Sequence, residues 1–525
     1  MLVINSSTLF CFVAFLAIFP QNSTQQSVVQ ATCTYIFDQT NGLYTCRMSS
    51  DLISSPTDVL NITGTHSGSR NDGDVQMVSY PANNMHYFNG DIMKKFENLV
   101  ILRLNCYTLK EINQDAFDHC PNLEQFESTV SNVTSYPPQM FKNCLKLKNF
   151  RSNTEHLTEI PEIFGDITSL EKVELFDNQL TSLPEKFVQN KPNLKIFKVQ
   201  YNSLTELPTD FFLNCTNLEE VDVSGNNFED QTKLTRAFNE NINLKSLTIY
   251  SNRFPNFDFT FFSQFNKLEM LTAGAISLTQ ISWQSLPSSL TALRVSSVGE
   301  DIPENAFSHL TELTTLSLTG LGITSLHKDT FKSQTALKML SIQSTSLVII
   351  HPELFASQAN LVDLELRYNK IEQLPAGIFT PLVNLGMSNI IFGLKVSGNK
   401  VKRLNINSFG EHQHLQYLDF SANEIDAIQR GLFSQFNSNI YRANFNLNVC
   451  INKLIANATN LNEDESLQWC FDSWEGITTT TTTTTDAPTD APPTTPGGAG
   501  NRFKKIEVFG ILMIGIVGVL VNFMK

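Results

Sequence analysis

Three kinds of residue in this 525-residue chain could do chemistry. Cysteines can cross-link it. Asparagines two residues ahead of threonine can carry glycans. Aromatic and charged side chains at a fixed spacing can recognise a partner. There are nine cysteines. Cys33 and Cys46 bracket CTYIFDQTNGLYTC, where Asn41-Gly42 signals a tight hairpin, so the spacing predicts a disulfide across it. Cys450 and Cys470 form a second expected pair, just past the regular part of the chain. Cys120, Cys144 and Cys215 share one slot, in FDHC, FKNC and FLNC. That slot is normally apolar, so they read as free buried thiols, with a Cys120–Cys144 bridge as the alternative. Cys106 has no evident partner. Asn61, Asn132, Asn214 and Asn457 head N-glycosylation sequons. There is no Cys-x-x-Cys, GxSxG, P-loop or HExxH, and the nine His are scattered. No enzyme activity, no metal and no cofactor are expected.

Disulfides and glycans need an oxidising compartment, and both ends of the chain point to one. The apolar run Leu9–Phe19 has the length of a signal-peptide core, which sets residues 1–31 as a leader cleaved after Ala31. A second run, Val508–Val521, is short for a membrane span. It fits the removable tail of a glycosylphosphatidylinositol (GPI) signal over 501–525, with Gly497 and Gly498 as attachment residues. Arg502, Lys504 and Lys505 would stay outside in a spanning topology, against the positive-inside rule. A short true span is the alternative. Residues 476–500, with eight consecutive threonines and DAPTDAPPTTP, read as an extended, O-glycosylated stalk. The expected location is the extracellular face of the plasma membrane. A net charge of −14 argues against nucleic acid as a partner.

Between leader and stalk, one period of about 24 residues repeats. Its fullest copy is LVDLELRYNKIEQLPAGIFTPL at 361–382. Starts fall at 75, 99, 123, 147, 170, 194, 218, 244, 268, 290, 313, 337, 361, 391 and 415, which makes about fifteen repeats. In LxxLxL the leucines point inward and the residues between them face out from a short strand. Phe117, Phe141, Phe262, Phe331, Phe355, Phe379, Phe409 and Phe433 close the return side, which accounts for many of the 39 Phe. The ninth position holds Asn83, Asn178, Asn202, Asn226, Asn252, Asn369, Asn399 and Asn423, able to bind backbone groups at the corner. Four successive repeats replace it with Ile276, Val298, Leu321 and Thr345, so the turn edge from 268 to 345 is expected to be irregular. Residues 385–391 lengthen one period, as a bulged loop.

The chain resembles the extracellular leucine-rich-repeat superfamily, of arthropod surface type, as in connectin, chaoptin, the Toll ectodomain and insect leucine-rich-repeat immune proteins. The resemblance implies an α/β solenoid. Its form is a horseshoe with a concave parallel sheet and cysteine caps over 32–74 and 440–475, flanking repeats 75–439. It also implies binding. On the concave face the outward positions offer Glu174, Phe176, Asp177, Lys198, Tyr201, Asp222 and Tyr250, then a bland stretch, then Arg367 and Tyr368. The bland stretch is Thr272, Gly274, Ser296, Ser317, Thr319, Ser341 and Gln343. The aromatic and charged group is the expected ligand-binding surface, for a protein or glycan. A second copy of the chain is one candidate, which would make a homodimer. The expected function is a cell-surface receptor or adhesion molecule, with innate-immune recognition of microbial surface molecules as the alternative.

Overall fold

A computed structural model describes residues 27–475, apart from 40–41, 82–83, 155, 239–240, 277–280, 298–300, 388–391, 437–439 and 459–460. The chain divides between Ile477 and Thr478 into two units, and the described residues all lie in the first. The leader run, the stalk, Gly497, Gly498 and the terminal apolar run lie outside the described residues. Among the described residues, no helix is long and apolar enough to cross a membrane.

Each of the fifteen repeat starts leads, two or three residues on, into a strand. These strands pair in parallel, in chain order, within one 20-stranded sheet. Register is constant: Val78 lies opposite Leu102, Phe197 opposite Val221, and Leu394 opposite Leu418. The extra residues after Leu385 leave it intact, since Leu364 still faces Leu394. Phe rings form the return-side column, as in Phe117–Phe141 (4.8 Å) and Phe164–Phe187 (5.2 Å). The returns are mostly turns and 3-10 pieces. Among the described residues the α-helices are Asp91–Lys95, Gln231–Ala237 and Gln468–Glu475. The architecture is a β-solenoid with little helix, so the α part of the α/β expectation shrinks to these pieces.

The corner asparagines tie each repeat to the one before. Asn226 Nδ2 donates to Val199 O (3.0 Å) in the previous repeat and to Val223 O (3.2 Å) in its own. Its Oδ1 accepts from Leu204 N (3.0 Å). Asn202, Asn252, Asn369, Asn399 and Asn423 repeat the arrangement, and Asn448 extends it into the C-terminal cap. The residue before each is left-handed: Asp177 (φ 60), Tyr201 (56), Ser251 (57), Tyr368 (55). Where Asn is present the strand is short, as in Lys172–Glu174 and Asp363–Glu365. Where it is absent, strands run on: Met270–Ile276, Ala292–Ser297, Thr315–Thr319, Met339–Gln343. The irregular edge expected at 268–345 is thus a stretch of longer strands. Without the side chain to take the corner carbonyls, the backbone stays extended and bonds to its neighbours. One register shift, between Gly274 and Ile276, marks it. Asn83 and Val298 lie outside the described residues.

The slot of Cys120, Cys144 and Cys215 is apolar in part, as expected, with Phe96, Ile167, Phe265 and Leu310 buried in it. In other repeats polar side chains there reach back to carbonyls of the preceding repeat. Lys191 Nζ donates to Gly165 O (2.8 Å), and Cys215 Sγ to Val188 O (3.1 Å). Gln334 and Gln358 donate to Phe307 O and Phe331 O, each at 2.6 Å. His412 Nδ1 lies 3.1 Å from Leu382 O. Cys120 and Cys144 are not free thiols. Adjacent repeats stack the slot on itself, with Cα atoms 5.0 Å apart, and the two form a disulfide. Cys106 and Cys215 are free and buried.

The caps cover the apolar ends. Val28–Asp38 and Leu43–Ser50 form an antiparallel hairpin crossed by the Cys33–Cys46 disulfide, and the second strand pairs with Met77–Tyr80. Tyr35 stacks on His66 (3.8 Å), and the Asp72 carboxylate accepts from Tyr35 and pairs with Lys95 (2.8 Å). At the other end Ile440–Asn444 continues the ladder, Leu454–Ala458 folds back on it, and Cys450 bonds Cys470. The N-terminal strand begins before Ala31, and Val29 and Ala31 are buried in the cap. Cleavage after Ala31 would therefore remove buried strand residues, and N-terminal sequencing of the protein made in cells is expected to start at or before residue 28.

Two substitutions test this account. Asn226→Ala leaves Leu204 N without its acceptor at a buried corner, whereas Val199 O and Val223 O keep Asn202 and Asn252 as donors, and it should cost about 1–3 kcal/mol by denaturant titration. Burial pulls the His412 imidazole down to about 4, despite its bond to Leu382 O. A depressed value means the folded state favours neutral imidazole, so its contribution is full above about pH 6.5 and lost as pH falls toward 4. The loss amounts to about 3 kcal/mol. His412→Gln keeps the donor, as at Gln334 and Gln358, and should lose less stability than wild type across that window.

Candidate ligand-binding face

In-register parallel strands stack equivalent side chains about 4.8 Å apart, so like charges in one column repel. The central outward column runs Arg103, Glu127, Arg151, Glu174, Lys198, Asp222, Thr248, Thr272, Arg294, Ser317, Ser341, Glu365, Lys395, Asp419, Asn444. Its sign alternates at both ends. Glu127 pairs with Arg103 (3.0 Å) and Arg151 (3.6 Å). Glu174 pairs with Arg151 (2.6 Å) and Lys172 (2.9 Å). Lys198 pairs with Glu220 (2.6 Å). Beyond the middle, where Arg294 is the one charged residue of the column, Lys395 bridges Asp363 (2.9 Å) and Glu365 (2.7 Å), and Arg367 reaches Asp419 (3.4 Å).

These contacts change the standing of several expected ligand contacts. Glu174 is only 5% exposed. Burial pushes its carboxyl up, but hydrogen bonds from Arg151 and Lys172 outweigh that and hold it below the usual range. It is an internal strut of the ladder. Asp222 is occupied by Ser224, accepting from its N (2.9 Å) and Oγ (2.6 Å), and burial raises its carboxyl. Lys198 and Arg367 each have an acidic partner. Lys395, at the far end, is pulled down by burial, yet Asp363 and Glu365 carry it above the ordinary lysine value.

Phe176, Asp177, Tyr201, Tyr250 and Tyr368 are not on strands. The strands stop at Glu174, Lys198, Thr248 and Glu365, so these residues stand on the turn edge beside the sheet. Tyr201 and Tyr368 are 46% and 58% exposed. Each ring packs against the left-handed glycine one repeat on. A Cβ on Gly225 would meet Tyr201 Cδ1 at 2.6 Å, and one on Gly398 would meet Tyr368 Cδ1 at 2.5 Å. Burial, helped by Asp222, Tyr250 and Asp177, raises the Tyr201 hydroxyl, which stays a donor. The face therefore has two rigid aromatic corners, near Tyr201 and Tyr368, separated by the longer strands. Sequence reasoning passed over Arg103, Glu127, Arg151 and Asp419, and it passed over Arg294 within the stretch read as bland. Tabulating the fifth residue of every repeat would have exposed all five.

None of the four sequons lies on the strands from Ile101–Leu104 to Tyr417–Asp419. Asn132 follows Gln125–Thr129 in an irregular segment, and Asn214 stands in a turn in left-handed conformation (φ 60). Asn61 and Asn457 are on Val59–Thr63 and Leu454–Ala458, the strands that end the sheet.

Residues 168–228 and 311–371 match the leucine rich repeat family, and 75–190 match the BspA type leucine rich repeat region. A Xenopus laevis leucine-rich repeat-containing G-protein coupled receptor 5A is 27% identical over 135 residues, which is 26% of this chain and 15% of that receptor. The chain thus matches only a small part of that relative's length. A leucine-rich-repeat protein of Leptospira interrogans superposes with TM-score 0.55 at 22% identity, covering 70% of this chain and 88% of that one. The Drosophila Toll–Spatzle complex, in its glycosylated form, gives 0.51 at 19% identity, covering 78% and 65%. At these identities the structural likeness concerns the fold alone.

Gly225→Ala should cost about 1–3 kcal/mol, because alanine is strained in the left-handed region and its methyl strikes the Tyr201 ring. Adding Tyr201→Ala should recover the steric part and leave the backbone part, which a double-mutant cycle by thermal denaturation would separate.

Proposed function

We propose that this chain, whose residues 75–228 and 311–371 match leucine rich repeat models, is a leucine-rich-repeat cell-surface recognition or adhesion molecule binding a protein ligand across its sheet face. The observation that carries this reading is the pair of exposed tyrosine corners bordering a sheet whose strand-borne sequons fall on its two end strands and off the strands between them. Aromatic rings held rigid by packing lose little entropy on binding and commonly dominate interface energy. The match to part of the frog receptor is in keeping with it. Attachment through Gly497 or Gly498 and a Thr/Pro stalk would hold the repeats away from the membrane as a lipid-anchored ectodomain.

Two measurements on cells expressing the full chain test the reading. Phosphatidylinositol-specific phospholipase C is expected to release the protein. Retention, with residues 501–525 found in the mature chain, would replace the anchor with a short span. In the second, labelled expressing cells are mixed with one another, with non-expressing animal cells and with bacteria. Binding to animal cells that Tyr201→Ala or Tyr368→Ala reduces about tenfold or more is the expected result. Binding confined to bacteria would favour innate-immune recognition. Binding unchanged by both variants would remove the tyrosine corners from the site.

A further inference from the structure

Between Arg103 and Asn444 on the outward column, every charged side chain but one has an oppositely charged or hydrogen-bonding partner; the column runs on through Ser79 to Arg47 of the N-terminal cap, which lies exposed to solvent. The exception is Arg294. Among the described residues it makes no hydrogen bond and no ion pair. Its strand neighbours in the column are Thr272 and Ser317. One rung further on stand Thr248 and Ser341. None carries a charge. The side chain is partly buried, and burial pulls its pKa down with no neighbouring charge acting on it. A guanidinium stays protonated all the same, so five donors point into a setting of short hydroxyls with no carboxylate to receive them.

The position of this gap is also informative. Arg294 sits two strands from Ser246–Thr248 and three from Asp363–Glu365, or about 10 and 14 Å at the usual strand spacing. The Tyr250 and Tyr368 turns flank it on either side. Short Thr and Ser side chains leave the space above it open, whereas the long paired side chains fill the column elsewhere. We propose that Arg294 docks a carboxylate of a protein ligand lying across the sheet face between the tyrosine corners. This inference rests on the protein-binding reading above. The incoming acid would restore the alternation of sign that runs through the rest of the column. Arginine's planar fork suits a carboxylate held by two bonds. A polyanion fits poorly, because Glu220, Asp222, Asp363 and Glu365 flank the gap on a chain of net charge −14. One carboxylate on an otherwise neutral or basic segment meets no such repulsion.

The test pans a phage-displayed random dodecapeptide library on cells carrying the full-length protein. Peptides selected on wild type should be enriched in Asp or Glu. Their binding should fall at least about tenfold with Arg294→Ala and partly recover with Arg294→Lys. Arg294→Glu should select peptides enriched in Lys or Arg instead. A structural role predicts a different pattern, so thermal midpoints are read alongside. Arg294→Ser should leave the midpoint unchanged or raise it, whereas Arg151→Ser, which breaks the ladder, should lower it. Selected peptides that ignore all Arg294 variants but are lost with Tyr201→Ala overturn the carboxylate dock and leave the protein-binding face standing. Peptides indifferent to both residues, or no binder to wild type, overturn both.

Discussion

No repeat of this chain can cover its own apolar edges, and everything else follows from how neighbours cover them. A 24-residue turn exposes one row of leucines above and another below, so stability is a sum of contacts between successive turns. Such a stack tolerates little slippage. A shift of one residue would turn the leucines outward and the charges inward. Register holds from Val78 to Leu418, even across the lengthened period after Leu385. The ends are the exception, and there the chain uses disulfides. Cys33–Cys46 and Cys450–Cys470 fasten the two pieces that have a neighbour on one side only.

Two side-chain ladders supplement the strand ladder, one at each corner of the cross-section. The asparagines take carbonyls where the strands end, and the Lys191, Asn241, Gln334, Gln358 and His412 slot takes carbonyls on the return side. Both solve one problem. A tightly turning backbone leaves C=O groups inside, where each would cost free energy if unmet. The return-side slot admits donors of several lengths and also takes buried Phe96, Ile167, Phe265 and Leu310, which donate nothing. Where the asparagine is missing, the backbone answers by staying extended, so polar satisfaction and strand length trade against each other from repeat to repeat.

This trade explains how much could be read from the sequence. The solenoid, its starts, its core Phe and both cap disulfides depend on periodicity and local spacing, which a single chain displays openly. The corner role of Asn226 and its equivalents was legible because the pattern fixes their position. The Cys120–Cys144 bridge and the donor slot were not, since both depend on what lies one turn away. An apolar slot and a slot for any short donor look alike when the examples at hand are cysteines. The strand positions given to the aromatic residues were misread for a related reason. Asn178 ends its strand early, so Phe176 and Asp177 leave the sheet and stand on the turn edge, a consequence that appears only once the asparagine's hydrogen bonds are traced.

The same in-register stacking limits what the face can offer a partner. Charges brought within about 4.8 Å of their equivalents must alternate in sign, and once they alternate they neutralise one another. Glu174 between Arg151 and Lys172 shows the result, as does Lys395 between Asp363 and Glu365. Charged residues on a sheet of this kind are therefore weak evidence of a binding site. More telling is a side chain the ladder cannot satisfy, or a ring fixed by packing rather than by its own contacts with ligand. Tyr201 and Tyr368, packed against glycines that admit no Cβ, meet the second condition, and Arg294, among Thr and Ser, meets the first. Recognition on this scaffold falls to the places where repetition fails to complete itself.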